Sequence, residues 1–326
     1  MKRSTLKTLL AAAALTLLGA SGSALAQTKL KWAHVYETSE PYHTQSVWAA
    51  EEIKKRTNGK FEIQVFPASS LGKETDINQG MQLGTVDMII SGPSFAARSY
   101  PRLGIAYYPF IFRDGEHLLA YSKSAVFKEM IDGFREKTGI QILAYTYYGA
   151  RRTTSQRPFT DCAGMKGLKI RVPDVPTYMA MPKACGANPA PIAAAEVYLA
   201  LQNGTVEAQE NPFTTIEAKK FYEVQKAIML TGHIVDGITT QVAPHVWNKL
   251  IDAEKKIFTD VTREAADRAT AQIKKRESEL ADEFKKKGLQ IVTVDRKSIS
   301  DAVLKNSTLE SMGFSRADYD AIVAIK

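Results

Sequence analysis

Residues 30–90 alternate between strand and helix signals, and that alternation limits the fold more than any other feature of the chain. Leu30 to Tyr36 is a strand candidate, and Ser39-Glu40-Pro41 opens a helix to about Thr57, where Asn58-Gly59 stops it. Phe61, Ile63 and Val65 alternate with Glu62 and Gln64, the period of a half-buried strand. Leu71-Gly72 leads to a helix through Leu83 with Gly84 as its stop, and Val86 to Ile90 is a short apolar run of the kind buried on both faces of a parallel sheet. A β-α-β-α-β series of this kind argues for an open α/β sheet, in which ligands sit at the carboxyl ends of the strands. His34, Glu37, Glu74, Ser91 and Phe95 fall in or beside those exits. Taken singly, each reads more simply as a solvated loop side chain; taken together, they mark one shared cleft.

Helices are expected around Glu116 to Tyr121 and Ala125 to Lys137, followed by an apolar run from Ile140 to Tyr147. This run ends in Tyr148-Gly149, with Arg151 and Arg152 directly after it. A Thr/Ser-rich loop follows, then a second apolar run that ends in Arg171-Val172-Pro173. Arg151 and Arg171 thus stand at two strand exits, where a guanidinium fork can face a cleft and grip a carboxylate bidentately, or can make an ordinary surface ion pair. A second α/β series continues with helices at about Val175–Cys185, kinked at Pro182, and Ala194–Gln202, then a strand Val206–Gln209. Asn211 follows that strand as either a ligand amide or a turn former before Pro212. Val224–Leu230 and Ile238–Ala243 read as two further strands, with His233 between them, that could cross between domains. From about Ala253 to Lys287, Ile257, Val261, Ala265, Ala269 and Ile273 recur every four residues, continued by Leu280 and Phe284, and predict one helix that reaches across two domains. Strand Leu289–Val294 and short helices finish the chain.

The first residues carry Lys2, Arg3 and Lys7, an apolar stretch from Leu9 to Leu18, and Ala24-Leu25-Ala26, the layout of an export signal cleaved after Ala26. Removing it takes the formal charge from +8 to +5 (8 − 3), mildly basic, which suits a small anionic ligand and gives no indication of nucleic acid. About 300 residues then remain, enough for two ordinary domains. In an oxidising compartment Cys162 and Cys185 can pair, and we expect a disulfide rather than two buried thiols. No zinc-protease, C-x-x-C, nucleophile-elbow, phosphate-loop or dinucleotide motif is present, and the five histidines lack metal-ligand spacing to one another. We therefore expect a binding protein with no catalytic residues, no metal and no cofactor.

Four ordered blocks make this reading specific: Gly149-Ala150-Arg151-Arg152-Thr153-Thr154-Ser155, Met165-Lys166-Gly167-Leu168-Lys169-Ile170-Arg171-Val172-Pro173, Glu196-Val197-Tyr198-Leu199-Ala200-Leu201-Gln202 and Gln209-Glu210-Asn211-Pro212. Together they resemble the periplasmic solute-binding proteins of TRAP (tripartite ATP-independent periplasmic) transporters, and the resemblance covers essentially the whole mature chain. It implies an α/β, two-lobed periplasmic binding protein fold with hinge strands and a long helix spanning both lobes. The implied first lobe is 27–148 with 237–276, and the second is 149–236 with 277–326. The function implied is capture of an organic acid anion and its delivery to the TRAP membrane permease subunits. In the family, the arginine of the R-V-P block, here Arg171, makes the main carboxylate salt bridge, and the arginine and asparagine at the positions of Arg151 and Asn211 assist.

Some sialic-acid-binding members carry Phe-Ser where this chain has Ala194-Ala195, so one pocket wall differs. With His34, Glu37, Glu74 and Ser91 on the opposite wall, a hydroxylated sugar acid (a uronate or aldonate) is favoured over a C4-dicarboxylate or an aromatic acid. A periplasmic sensor for a membrane receptor and a secreted enzyme acting on such an acid are the competing readings. A monomer without a nucleic-acid partner is expected.

Overall fold

In the computed structural model, which describes residues 27–326, the alternation seen in the sequence becomes two separate sheets. The expected export signal lies outside the described residues. In chain order the strands are β1 (Thr28–Ala33), β2 (Phe61–Phe66), β3 (Met88–Ser91), β4 (Gln141–Ala150), β5 (Arg152–Ser155), β6 (Lys169–Val172), β7 (Asn188–Pro191), β8 (Ala208–Asn211), β9 (Ala227–Met229), β10 (Val235–Val242) and β11 (Gln290–Val292). The first sheet has the order β2-β1-β3-β10-β4, and the second has β11-β9-β5-β8-β6-β7. Strands β1, β2 and β3 run parallel, as the helical crossovers between them require, while β10 lies antiparallel between β3 and β4. All four residues of β3 are buried, in keeping with its unbroken apolar run.

Local stops come from the expected residues. Pro41 opens the helix Pro41–Arg56, and Gly84, at φ 75°, ends the helix Glu74–Leu83 in the left-handed region that glycine adopts without strain. The first strand is shorter than expected. It ends at Ala33; His34 N still donates to Phe66 O, and beyond it the Tyr36 backbone N–H donates to the His34 ring. The expected helix 194–202 is a short 3-10 turn, Ala194–Glu196, followed by the helix Val197–Gln202.

The chain passes between sheets at two places. Strand β4 closes the first sheet at Ala150, and β5 opens the second at Arg152, so Arg151 alone separates them. Gly149, at φ 123°, makes this bend, and a Cβ there would stand 2.8 Å from the Cβ of Pro212. The return runs from Met229 to Val235 and includes His233, as the sequence suggested. The two crossings lie side by side, with Arg151 N donating to Ile234 O at 2.9 Å. The long helix Asp252–Lys286 then braces both sheets. It buries Phe258, Val261, Ala265, Ala269 and Ile273 toward the first, and Leu280 and Phe284 in a cluster with Val197, Leu201, Phe213 and Phe221 of the second. Ile257 is only half-buried, and Phe258 occupies the core position expected of it.

Cys162 and Cys185 are bonded. One expectation is corrected. The helix Arg296–Asn306 packs on the second lobe's helix Pro176–Ala184, but the last helix, Arg316–Val323, returns to the first lobe. There Arg102 grips Asp318 with two hydrogen bonds of 2.7 and 2.6 Å, and Tyr108 packs against Tyr319 and Phe314. A half-buried bidentate clamp and an aromatic cluster hold the helix to the first lobe despite its proximity in sequence to the second.

Candidate functional site

Between the sheets, where β6 and β8 end opposite the loops after β1 and β3, lies a cavity of about 220 Å³. Arg171 is carried into it by the last turn of β6, whose register pairs Arg171 with Gln209 on one side and Ala190 on the other. Only 4% of Arg171 is exposed, and its Nε donates to Ile192 O at 2.8 Å. Among the described residues no carboxylate forms a salt bridge with it, and its two Nη atoms have no hydrogen-bond partner. Burial accordingly pulls its pKa down to about 10, only partly opposed by Glu210.

Arg151 lines the same cavity but is fully engaged. Its Nε donates to Glu210 Oε2, its Nη2 to Glu210 Oε1 (2.9 Å), Glu210 O (2.8 Å) and Asn211 Oδ1 (3.1 Å), and its Nη1 to Asp236 Oδ2 (2.8 Å). The guanidinium also stacks on Tyr178, 4.8 Å from the ring centre. Burial alone would lower its pKa, but Glu210, Tyr178 and Asp236 outweigh burial and hold it well above the usual value. Burial would raise Glu210, yet Arg151 and His233 bring it below its ordinary value; His233 Nε2 stands 3.3 Å from Glu210 Oε2. Asp236 differs: burial pushes it up to about 6 despite Arg151, and its Oδ1 is buried with no partner among the described residues.

Five of the eight sequence-derived site residues surround the cavity: Arg171, Arg151, Asn211, Glu74 and Phe95. Asn211 is already half used, since Oδ1 accepts from Arg151 and Nδ2 donates to Gln209 Oε1 at 2.7 Å. Glu74 begins the helix Glu74–Leu83; its Oε1 accepts from Ser91 Oγ (2.8 Å) and Gly92 N (3.1 Å), which fixes the carboxyl and leaves Oε2 unpartnered. Burial raises its pKa to about 7, against those two bonds.

The other three are corrected. Ser91 does not line the cavity; it orients Glu74 from behind. His34 is 1% exposed, receives the Tyr36 N–H and sits 3.3 Å from His43, and burial followed by His43 lowers its pKa to about 3, so it is a neutral packing group. Glu37 is turned to Lys219 of the second lobe, 2.5 Å away. Asp236 was missed; its only local signal is an acid between Ile234-Val235 and Gly237-Ile238 at the start of β10. Lys219, Tyr107, Tyr148 and Tyr178 also line the cavity and carry no motif of their own. Two further contacts join the lobes around the cavity: Thr215 Oγ1 donates to Glu40 Oε1 (2.7 Å), and Arg98 pairs with Asp174 (2.8 Å). The arrangement is a cleft between the lobes with one buried unpaired cation, Arg171, and unpartnered carboxyl oxygens, and among the described residues no group of acidic, histidine or cysteine side chains could hold a metal.

The sequence profile of the bacterial extracellular solute-binding proteins, family 7, matches residues 32–309. A solute-binding protein of Roseobacter denitrificans is 33% identical over 89% of this chain and 91% of its own, and its crystal structure with bound L-galactonate superposes with a TM-score of 0.85 at 31% identity, covering 91% of this chain and 98% of that one. The sialic acid-binding periplasmic protein SiaP of Vibrio cholerae is 31% identical over 89% of this chain and 90% of its own. A TRAP periplasmic solute-binding protein of Polaromonas sp. JS666, bound to D-erythronate, gives a TM-score of 0.88 at 31% identity over 92% of this chain and 99% of that one. With nearly the whole described chain matched in sequence and in fold, the protein belongs to family 7 of the bacterial extracellular solute-binding proteins, the solute receptors that serve TRAP membrane permeases.

Proposed function

We propose that this protein captures a hydroxylated sugar acid, an aldonate or uronate, in the periplasm and hands it unchanged to its membrane permease. The observation that carries the reading is Arg171, a buried guanidinium whose two Nη atoms face the cavity without a protein partner. A ligand carboxylate would complete it bidentately in a desolvated site, where charge-assisted hydrogen bonds are strongest. Glu74 Oε2 then offers an acceptor to ligand hydroxyls. The sugar acids in the Polaromonas and Roseobacter relatives, erythronate and galactonate, carry one carboxylate and a row of hydroxyls, the same combination. Export with cleavage after Ala26, action as a monomer and the absence of any nucleic-acid partner complete the proposal.

Calorimetry on ligand-stripped protein tests it, with D-erythronate, L-galactonate, D-glucuronate, succinate and benzoylformate as ligands. At least one sugar acid should bind, be recovered unaltered, and be lost to Arg171→Met, with affinity falling by about 2–5 kcal/mol. Binding of succinate or benzoylformate with failure of all three sugar acids would overturn the reading.

A further inference from the structure

The two lobes bring opposite charge to the cavity. The second lobe supplies Arg171 without an anion, and the first supplies Glu74 without a cation; the two form no salt bridge with each other. The other cations on the lining do not answer Glu74. Arg151 is taken by Glu210 and Asp236, Lys219 by Glu37, and Lys73 is exposed, where solvent screens it. A ligand that gives its carboxylate to Arg171 therefore meets the Glu74 carboxyl at its other end, with the Tyr36 and Thr75 hydroxyls beside it. A hydroxyl there donates a hydrogen bond to Glu74; a second carboxylate meets like charge in a desolvated space, with no buried counter-ion for it among the described residues.

From this geometry we propose that Glu74 is a specificity-determining residue, one that admits sugar monoacids and refuses the diacids of the same length. The inference rests on the sugar-acid reading above and adds the rule by which the pocket rejects its nearest mimics. An aldonate and the matching aldarate differ only in a terminal hydroxymethyl group against a carboxylate, so size and stereochemistry cannot make the distinction. The Glu74 carboxyl is locked in orientation. Ser91 Oγ and Gly92 N fix Oε1, and Asn78 Nδ2 donates to Ser91 Oγ at 2.8 Å, so Oε2 is fixed toward the cavity.

Glu74→Gln is the direct test, because the amide oxygen can still accept from Ser91 and Gly92 while Nε2 now donates into the cavity. Affinities are compared for erythronate against meso-tartrate and galactonate against galactarate, at pH 8.5, with melting temperatures confirming that the variant is folded. The natural protein should favour the monoacid of a pair by about 100-fold, and the variant should shrink that ratio by about tenfold or more. A second measurement needs no variant. Burial raises the Glu74 pKa to about 7, so diacid binding must take up a proton there and should strengthen on going from pH 8.5 to 6.5, while monoacid binding stays nearly level. The groups facing Glu74 in this comparison are Asp236 and Arg151 across the cavity, Tyr36 and Tyr178 beside it, and Lys73 next in the chain.

An unchanged ratio in Glu74→Gln, with monoacids still bound, overturns the role of Glu74 and leaves the sugar-acid reading intact. A natural protein that binds diacids as well as monoacids at pH 8.5 also overturns it. If no monoacid binds the natural protein while another acid does, the functional reading falls first and the inference falls with it.

Discussion

Arg151 and Arg171 stand at two strand exits, face one cavity and share a side chain, yet the structure uses them in opposite ways. Arg151, at the crossing between the sheets, is saturated by Glu210, Asp236 and Asn211, which come from β8 and β10. Arg171, at the end of β6, is bound only at Nε. The first is a fixed part of the hinge, where it ties both chain crossings together. The second is an incomplete ion pair enclosed in the protein, and the missing half is the ligand. The difference shows that burial of a charge has no single meaning: what matters is whether the fold supplies the partner or leaves it to be supplied.

That contrast can be broken most directly by removing each charge from the empty protein. Arg151→Met leaves Glu210 and Asp236 buried without their cation and should cost about 3–5 kcal/mol in urea unfolding. Arg171→Met removes a guanidinium whose desolvation the empty fold already bears, so the ligand-free variant should be as stable as the natural protein or more so. Equal destabilisation of the two variants would show that Arg171 has a structural partner after all, and the distinction between hinge arginine and ligand arginine would fail.

Much of this was legible in the sequence, and the limits have physical causes. The alternation of residues 30–90 and the four-residue stripe of the long helix are local periodicities, so the sheets and the brace could be read directly. The two arginines were legible as strand exits. The partners of Arg151, however, lie 59 and 85 residues further along the chain, and no local pattern reports a pairing over that separation. Side-chain direction was equally hidden. His34, Ser91 and Glu37 leave the same sheet edge as Glu74, but His34 turns into the core, Ser91 backs Glu74 and Glu37 reaches for Lys219. The last helix went to the unexpected lobe because its anchor, Arg102, is more than two hundred residues upstream of Asp318.

Titration sharpens the comparison by a smaller amount. Burial raises Asp236 to about 6 and both Glu74 and Glu40 to about 7, from ordinary values of 3.8 and 4.5. Between those limits the folded protein holds protons that the unfolded chain has released, so stability falls as pH rises through the window. Below about pH 6.5 the buried, neutral His34 acts in the opposite sense, so the carboxyls show themselves above it: the empty protein should melt lower at pH 8 than at pH 6.5, by about a few degrees. Glu210 acts in the other sense: its pKa is depressed, so its contribution is present above the unfolded value and is lost only in stronger acid. In Arg151→Met the dependence should steepen, because Arg151 lowers both Asp236 and Glu210; in Arg171→Met it should change less. A melting temperature that climbs from pH 6.5 to 8 would contradict the burial of these carboxyls.

The smallest effects belong to the ion pairs that join the lobes outside the carboxylate site, and they decide whether affinity comes from closure or from Arg171. Arg98 and Asp174 are 51% and 59% exposed, so their pair should contribute at most about 1 kcal/mol to the closed form and fade with salt. Lys219 is 9% exposed against Glu37 and is held more firmly. Arg98→Ala should accordingly speed ligand release only a few-fold at low ionic strength (roughly fivefold for 1 kcal/mol), with the difference from the natural protein shrinking as salt is added. Stopped-flow displacement of bound sugar acid resolves this. Should Arg98→Ala weaken binding as much as Arg171→Met, the latch at the cleft's rim, rather than the unpaired guanidinium within it, would be setting the affinity.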